Sequence, residues 1–118
     1  MLQATSVDHT KLGHMTPVKY QGSCGSCWAF TATSVLEGTI AALSDQPPVR
    51  LSEQQLVDCN KADPTLEVQK PYNRNFGCQG GWMSYAWYYH YYEGAMPESE
   101  YPYAGVAGEC QYDATKAT

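Results

Sequence analysis

Charge is scarce in this chain, and charge of one sign is nowhere concentrated. Of 118 residues only 16 % are Asp, Glu, Lys or Arg, with 7 basic against 12 acidic side chains and a net charge of −5. No run of Lys or Arg exists to meet phosphates or an anionic lipid surface, so neither nucleic acid nor membrane is an expected partner. No apolar stretch approaches the roughly 18 residues of a spanning helix. Met1 to Asp8 lacks a basic segment followed by an apolar one, so no signal peptide is visible. Internal repeats, low-complexity tracts and a dividing linker are missing as well. The length suits one domain over 1–118, without room for a second core. With 43 % hydrophobic residues the chain reads as a small, acidic, globular unit.

Tyrosine and cysteine stand out against that background. Tyr occurs ten times, and seven aromatics crowd the eleven residues Trp82 to Tyr92. The five cysteines are Cys24, Cys27, Cys59, Cys78 and Cys110. An odd count most simply means two disulfides and one thiol. Five cysteines allow fifteen such arrangements, and counting alone does not choose among them.

Periodicity predicts three helices. The longest runs from about Ser26 to Leu43, with Trp28, Ala32, Val35, Leu36, Ile40 and Leu43 on one stripe. Ala29, Phe30, Ala41 and Ala42 widen its apolar surface, so burial on most sides is expected. A second helix, Leu51 to Asp58, has Ser52 as its cap and Gln55 three residues on, the pattern of a capping box. A third, about Trp82 to Glu93, carries Trp82, Tyr85, Ala86, Tyr89 and Tyr92 on its stripe and stops at Gly94. Met1 to Tyr20 shows no helical period. Asn60 to Gly77 is a long polar loop, and Met96 to Thr118 reads as loop or isolated strand.

The chemistry gathers where the first helix begins. The glycine-punctuated turn Gln21-Gly22-Ser23-Cys24-Gly25-Ser26 delivers Cys27 into its first turn, with Ser26 as the expected N-cap. Backbone N–H groups there lack intrahelical partners, and the helix dipole favours negative charge, so a thiolate is stabilised. Gln21 adds an amide that can donate. A nucleophilic thiolate, a free N–H and an amide donor are the minimum set for acyl transfer through a tetrahedral oxyanion. A thioredoxin-type reading of Cys24-Gly25-Ser26-Cys27 fits less well, because the tryptophan follows the pair and no βαβ pattern precedes it. Cys59, Cys78 and Cys110 offer no second Cys-x-x-Cys, so no metal site and no cofactor are expected.

Gln21 to Phe30 resembles the nucleophile segment of papain-like cysteine proteases, whose Cys-Gly-[Ser/Ala]-Cys-[Trp/Tyr] signature it carries. The resemblance continues through Leu51 to Cys59, Gly77-Cys78-Gln79-Gly80-Gly81 and Tyr101-Pro102-Tyr103, over about Val7 to Asp113. It implies the helical half of the papain-like α+β fold: mainly α, with a long central helix, two shorter helices and disulfide-tied loops. It further implies Cys27 as nucleophile and Gln21 as the oxyanion-hole side chain. Cys24–Cys78 and Cys59–Cys110 would be the disulfides. Gly25, Trp28, Gly80, Gly81, Trp82 and Met83 would bind substrate, with Gly80 and Gly81 pairing with an extended peptide and Trp82 and Met83 walling a pocket. Cysteine-type peptidase activity on peptide or protein substrates follows from the same likeness, as does a lysosomal, vacuolar or extracellular setting.

The family places a His and an Asn about 130–150 residues beyond the nucleophile. Here 91 residues follow Cys27. The β-rich half that carries them is therefore expected to be absent, and the isolated chain inactive. The missing half or a propeptide becomes an expected partner. His9, His14 and His90 read as surface or structural residues, with His9 standing where the family usually has Trp. The face of the central helix near Trp28, which packs on the second half in the family, is expected to lie open. The alternative function is a non-enzymatic fragment that binds peptides or a protease.

Overall fold

The computed structural model describes residues 5–118. Three α-helices, α1 (Cys27–Ser44), α2 (Glu53–Cys59) and α3 (Met83–Glu93), are joined by irregular segments, and a 3-10 turn at Ala114–Lys116 precedes the C-terminus. Among the described residues the only β pairing is two isolated bridges, Gly25 with Gln79 and Leu51 with Pro97. None of the helices is long and apolar enough to cross a membrane.

Core side chains come from all three helices. Trp28, Ala29 and Ala32 of α1 meet Leu56, Val57 and Cys59 of α2 and Ala86 and Tyr89 of α3. Each fully buried large apolar side chain of this kind stabilises by about 1.5–3 kcal/mol. The indole Nε1 of Trp87 also donates to the Ala32 carbonyl at 3.2 Å, tying α3 to α1.

The helices begin near the expected places, but their caps and faces differ. Ser26 occupies the N-cap of α1 without capping it. Its buried hydroxyl is instead 2.9 Å from the Tyr103 hydroxyl, which also donates to the Gln21 carbonyl at 2.5 Å. Ser52 does cap α2, accepting from the Gln55 N–H at 3.0 Å. The reciprocal half of the box is not made. Gln55 is drawn away by Tyr89, the Gly94 carbonyl and the Met96 N–H, three partners that together satisfy its buried amide.

Burial of α1 on most sides does not occur. Its inner face carries Trp28, Ala29, Ala32, Thr33, Glu37 and Ala41, while Val35, Ile40 and Leu43 are exposed. Glu37 explains the rotation. Lys19 reaches both of its oxygens at 2.8 Å, Thr16 donates at 3.0 Å and the Leu51 N–H at 2.7 Å. A carboxylate with four such bonds is held inward, and the outer part of the apolar stripe turns away. The third helix departs similarly. It buries Ala86, Tyr89 and His90, and leaves Trp87, Tyr88, Tyr91 and Tyr92 exposed. Trp82 lies one residue before the helix in extended backbone, so it never joins the stripe. Tyr92 stacks on Tyr72 of the long loop, with ring centres 5.2 Å apart.

The second carboxylate facing Lys19 is less well served. Glu53 meets the ammonium at 3.2 Å through one oxygen, and its buried Oε1 has no partner. Burial pushes the Glu53 carboxyl from 4.5 up to about 7, with the Glu37 charge adding to the rise and Lys19 opposing it. The folded state therefore holds a proton that the unfolded chain releases. This contribution is fully present below pH 4.5 and is lost as pH rises to about 7. Its size over that window is of the order of 3 kcal/mol. Glu53→Gln should remove this dependence. In urea unfolding between pH 4 and 8, the variant should match the parent at pH 4 and exceed it above pH 7. Parallel curves for the two proteins would contradict the assignment.

Candidate active site

Cys27 is the first residue of α1 and the free cysteine, exposed to solvent. The other four are bonded as Cys24–Cys78 and Cys59–Cys110. The first of these staples the turn before α1 to the Gly80-Gly81 segment. Beside it the Gly25 N–H donates to the Cys78 carbonyl at 2.9 Å. A Cβ on Gly25 would sit 2.5 Å from that oxygen, a contact no side chain permits. Gly25 and Gln79 therefore form a parallel bridge, which sets the turn before α1 beside the chain that leads into Gly80 and Gly81.

The backbone N–H of Cys27 makes no hydrogen bond among the described residues, as its place at the helix start requires. Gln21 is anchored nearby. Its Nε2 donates to the Cys24 carbonyl at 2.9 Å, and the Tyr103 hydroxyl holds its own carbonyl. A primary amide has two N–H donors, so the anchored one leaves its neighbour available. The Cys27 N–H and the second N–H of Gln21 are thus both free to donate, with the Gln21 side chain held by the Cys24 carbonyl and its backbone by Tyr103.

Across the turn, Gly80 has open space above it: an added Cβ would meet nothing within 4 Å. The N–H and carbonyl of Gly81 make no hydrogen bond among the described residues. Together they leave a short strand edge unpaired. Asn75, which no sequence motif marked, holds that edge extended. Its Oδ1 accepts from the Trp82 N–H at 2.7 Å and its Nδ2 donates to the Trp82 carbonyl at 3.1 Å, as a neighbouring strand would. Asn75 also donates to Asn60 Oδ1 at 2.8 Å. The three buried asparagines Asn60, Asn73 and Asn75 within one loop are the signal that could have revealed it. Gly81 lies against Asn75 too closely for any side chain: a Cβ added to it would sit 2.5 Å from Asn75 Oδ1. Trp82 is 69 % exposed and Met83 half-buried at the start of α3, at the end of this edge.

Trp28 requires a correction. Its side chain is 1 % exposed, packed in the core with its Nε1 donating to the Gly77 carbonyl at 3.0 Å. The indole is too large and too well satisfied to leave that position, so it presents no wall to a substrate. For the same reason the open apolar face is not beside Trp28. It lies at the far half of α1, where Leu43 is 84 % exposed. Among the described residues no imidazole bonds Cys27. His9 and His14 face each other on the N-terminal turn. His90 is buried on α3, bonded through Nδ1 to the Gly94 carbonyl at 3.0 Å, and burial holds its imidazole below its usual range.

A family model described as papain family cysteine protease matches residues 3–118. This chain belongs to the papain family. Bovine pro-cathepsin H is 46 % identical over 114 residues, which cover 95 % of this chain and 31 % of that protein. The crystal structure of the Carica candamarcensis cysteine protease CMS1MS2 in complex with E-64 superposes with a TM-score of 0.81 at 36 % identity. It covers 98 % of this chain and is itself covered over 47 %. Procathepsin L 3 from Tenebrio molitor larval midgut gives 0.77 at 35 % identity, over 92 % of this chain and 32 % of that one. The chain spans about a third of the curated relative and under half of the solved structures. The three helices, the two disulfides and the absence of strands among the described residues are those of the helical half of the papain fold.

Proposed function

We propose that residues 1–118 are the helical, nucleophile-bearing part of a papain-type cysteine peptidase domain, and that Cys27 is its nucleophile. The observation that carries this reading is a free, exposed thiol at the first position of an 18-residue helix, with the anchored Gln21 amide six residues earlier. An extended peptide pairs with the free N–H and carbonyl of Gly81, beside Gly80, while Trp82 and Met83 receive a side chain of the substrate. The Cys27 thiolate attacks the scissile carbonyl carbon, and the electron pair moves to oxygen. The Cys27 N–H and the Gln21 amide hold that oxyanion. Collapse breaks the C–N bond, the leaving amine takes a proton from a general acid, and water then hydrolyses the thioester.

The general acid is not among these residues. His9, His14 and His90 have other partners, so a base and its orienting residue come from the β-rich portion that the relatives' additional length accommodates. The 118-residue chain alone is inactive on this reading, because nothing protonates the leaving amine. Protein or peptide substrates, and a β-rich half or propeptide as partner, belong to the same reading. Two disulfides in so short a chain favour an oxidising compartment, lysosomal, vacuolar or extracellular.

Alkylation followed by intact-mass measurement tests the site. One thiol should react before reduction and five after it, with peptide mapping placing the first on Cys27. A fluorogenic peptide should be hydrolysed by the chain no faster than by Cys27→Ala. Hydrolysis abolished by that substitution would overturn the assignment of the base to residues outside this chain. Two or more thiols open before reduction would overturn the disulfide-bonded site.

A further inference from the structure

The long loop that Asn75 pins beside Trp82 carries a pattern of exposure that the peptidase reading leaves unused. From Asn73 to Gly77 buried and exposed residues alternate: Asn73, Asn75 and Gly77 lie inward, Arg74 and Phe76 outward. This is the alternation of an extended chain, in which successive side chains point to opposite sides. The inward residues fix the backbone. The Asn73 N–H donates to the Lys70 carbonyl at 3.0 Å and the Asn75 N–H to the Asn60 carbonyl at 3.1 Å, while Asn60 Nδ2 donates to Asn73 Oδ1 at 3.2 Å. The Phe76 N–H then donates to the Gly80 carbonyl at 3.0 Å, which ties the loop to the Gly80-Gly81 edge. Arg74 and Phe76 are therefore held on one outer face, close to that edge.

Both line a groove of about 940 Å³. Gln79 and Trp82, the residues on either side of Gly80 and Gly81, line it too, whereas Cys24, Gly25 and Cys27 do not. The groove thus prolongs the edge away from the nucleophile. Its charge runs against that of the protein. Acidic side chains outnumber basic ones 12 to 7, yet Lys61, Lys70 and Arg74 line the groove and no Asp or Glu does. The three cations are not equally free. Lys70 is paired with Glu93, and Lys61 donates to the Gly108 carbonyl at 3.0 Å. Arg74 is exposed and enters no ion pair among the described residues. Its planar guanidinium suits a carboxylate held by two parallel hydrogen bonds. Phe76, 70 % exposed, and Trp82 offer apolar surface for the methylenes that carry such a group.

We propose that this groove is the subsite for an acidic side chain, Asp or Glu, of the peptide substrate, and that Arg74 is the residue selecting it. The proposal rests on the reading of Gly80 and Gly81 as the substrate edge. An extended peptide advances roughly 3.3 Å per residue, so the groove receives a residue one or two positions beyond the one paired with Gly81. There the carboxylate meets the unpaired guanidinium, and Lys61 adds a second positive charge. A preference of this kind opposes the net charge of −5, which repels an anionic peptide from the protein as a whole. Only a local cluster of cations reverses that sign.

Labelling of Cys27 by tetrapeptides that end in an iodoacetamide tests this without turnover. Glu, Gln or Lys is placed in turn at each position before the electrophile, and the labelling rate is read by intact mass. At low salt, Glu at one of the two positions farthest from the electrophile should speed labelling about threefold over Gln, within the range of an exposed ion pair. Lys there should slow it, and about 0.5 M NaCl should erase the difference. Arg74→Glu should invert the order. Lys11→Glu, the same charge change on an exposed residue of the N-terminal turn, should leave the order as it is. If the Gln peptides label faster than iodoacetamide itself and Glu adds nothing, the subsite is overturned and the peptide edge stands. If no peptide outpaces iodoacetamide, both fall. A Glu advantage that survives Arg74→Glu, or that appears only at the two nearer positions, would overturn the assignment to Arg74.

Discussion

Glu37→Ala is expected to lower the unfolding free energy by about 3–5 kcal/mol, the loss typical of breaking a buried ion pair from one side. A domain of this size commonly has about 5–15 kcal/mol in total. Glu37 is 2 % exposed and joins three chain segments: Lys19 and Thr16 from the N-terminal stretch, and the Leu51 N–H at the entry to α2. Its removal leaves the ammonium of Lys19, itself only 6 % exposed at the side chain, with the single 3.2 Å contact to Glu53. It also orphans the Leu51 amide. Glu37→Gln should lose less, since a carboxamide oxygen still accepts from Leu51 or Thr16. Lys19→Met combined with Glu37→Leu should cost less than the two single losses added, because no charge is then stranded. Urea unfolding followed by tryptophan fluorescence reads the parent, Glu37→Ala, Glu37→Gln, the double variant and its two single substitutions. A loss below about 1 kcal/mol for Glu37→Ala, the value of an exposed pair, would show that the cluster is solvated.

Removing the Cys24–Cys78 disulfide as Cys24→Ala/Cys78→Ala should cost about 4 kcal/mol, from the chain entropy released when a loop of this span opens. The two cysteines are 54 residues apart in sequence. Cys59→Ala/Cys110→Ala opens a loop of nearly equal span, 51 residues, and should cost a similar amount. The two double variants separate at the site. Only the first cuts the staple beside the Gly25 N–H···Cys78 bond, so only there should the Gly25 amide lose its protection against hydrogen exchange. Equal loss of protection in both variants would mean that the turn before Cys27 depends on global stability rather than on its own staple.

Several parts of this arrangement were legible from neighbouring residues. The helical starts at Cys27 and Glu53 follow from a glycine-rich turn and from Ser52 three residues before Gln55, interactions that operate within one turn of chain. The stop at Gly94 likewise comes from a residue free to adopt φ +90°. The faces of the helices were not legible. Val35, Ile40 and Leu43 have the period of a buried stripe, and Glu37 interrupts it with a charge that ought to face water. Its partner is 18 residues away in a segment without periodicity, and only that pairing makes inward rotation favourable. Similarly, seven aromatics around α3 suggested a packed stripe. The available core is small, and Tyr89 and Ala86 occupy the share that α3 receives.

By itself the sequence determined the order and approximate limits of three helices, the odd thiol count and the placement of Cys27 at a helix start. These depend on propensity, capping and spacing, which act over three or four residues. Tertiary structure decided the rest. It turned Glu37 inward through Lys19, sank Trp28 into the core against the Gly77 carbonyl, and set Asn75 as a surrogate strand beside Trp82. In the interior a buried charge, indole or amide must find a partner wherever the fold supplies one. No local pattern encodes which residue will arrive there, because that choice is made by the packing of the whole chain.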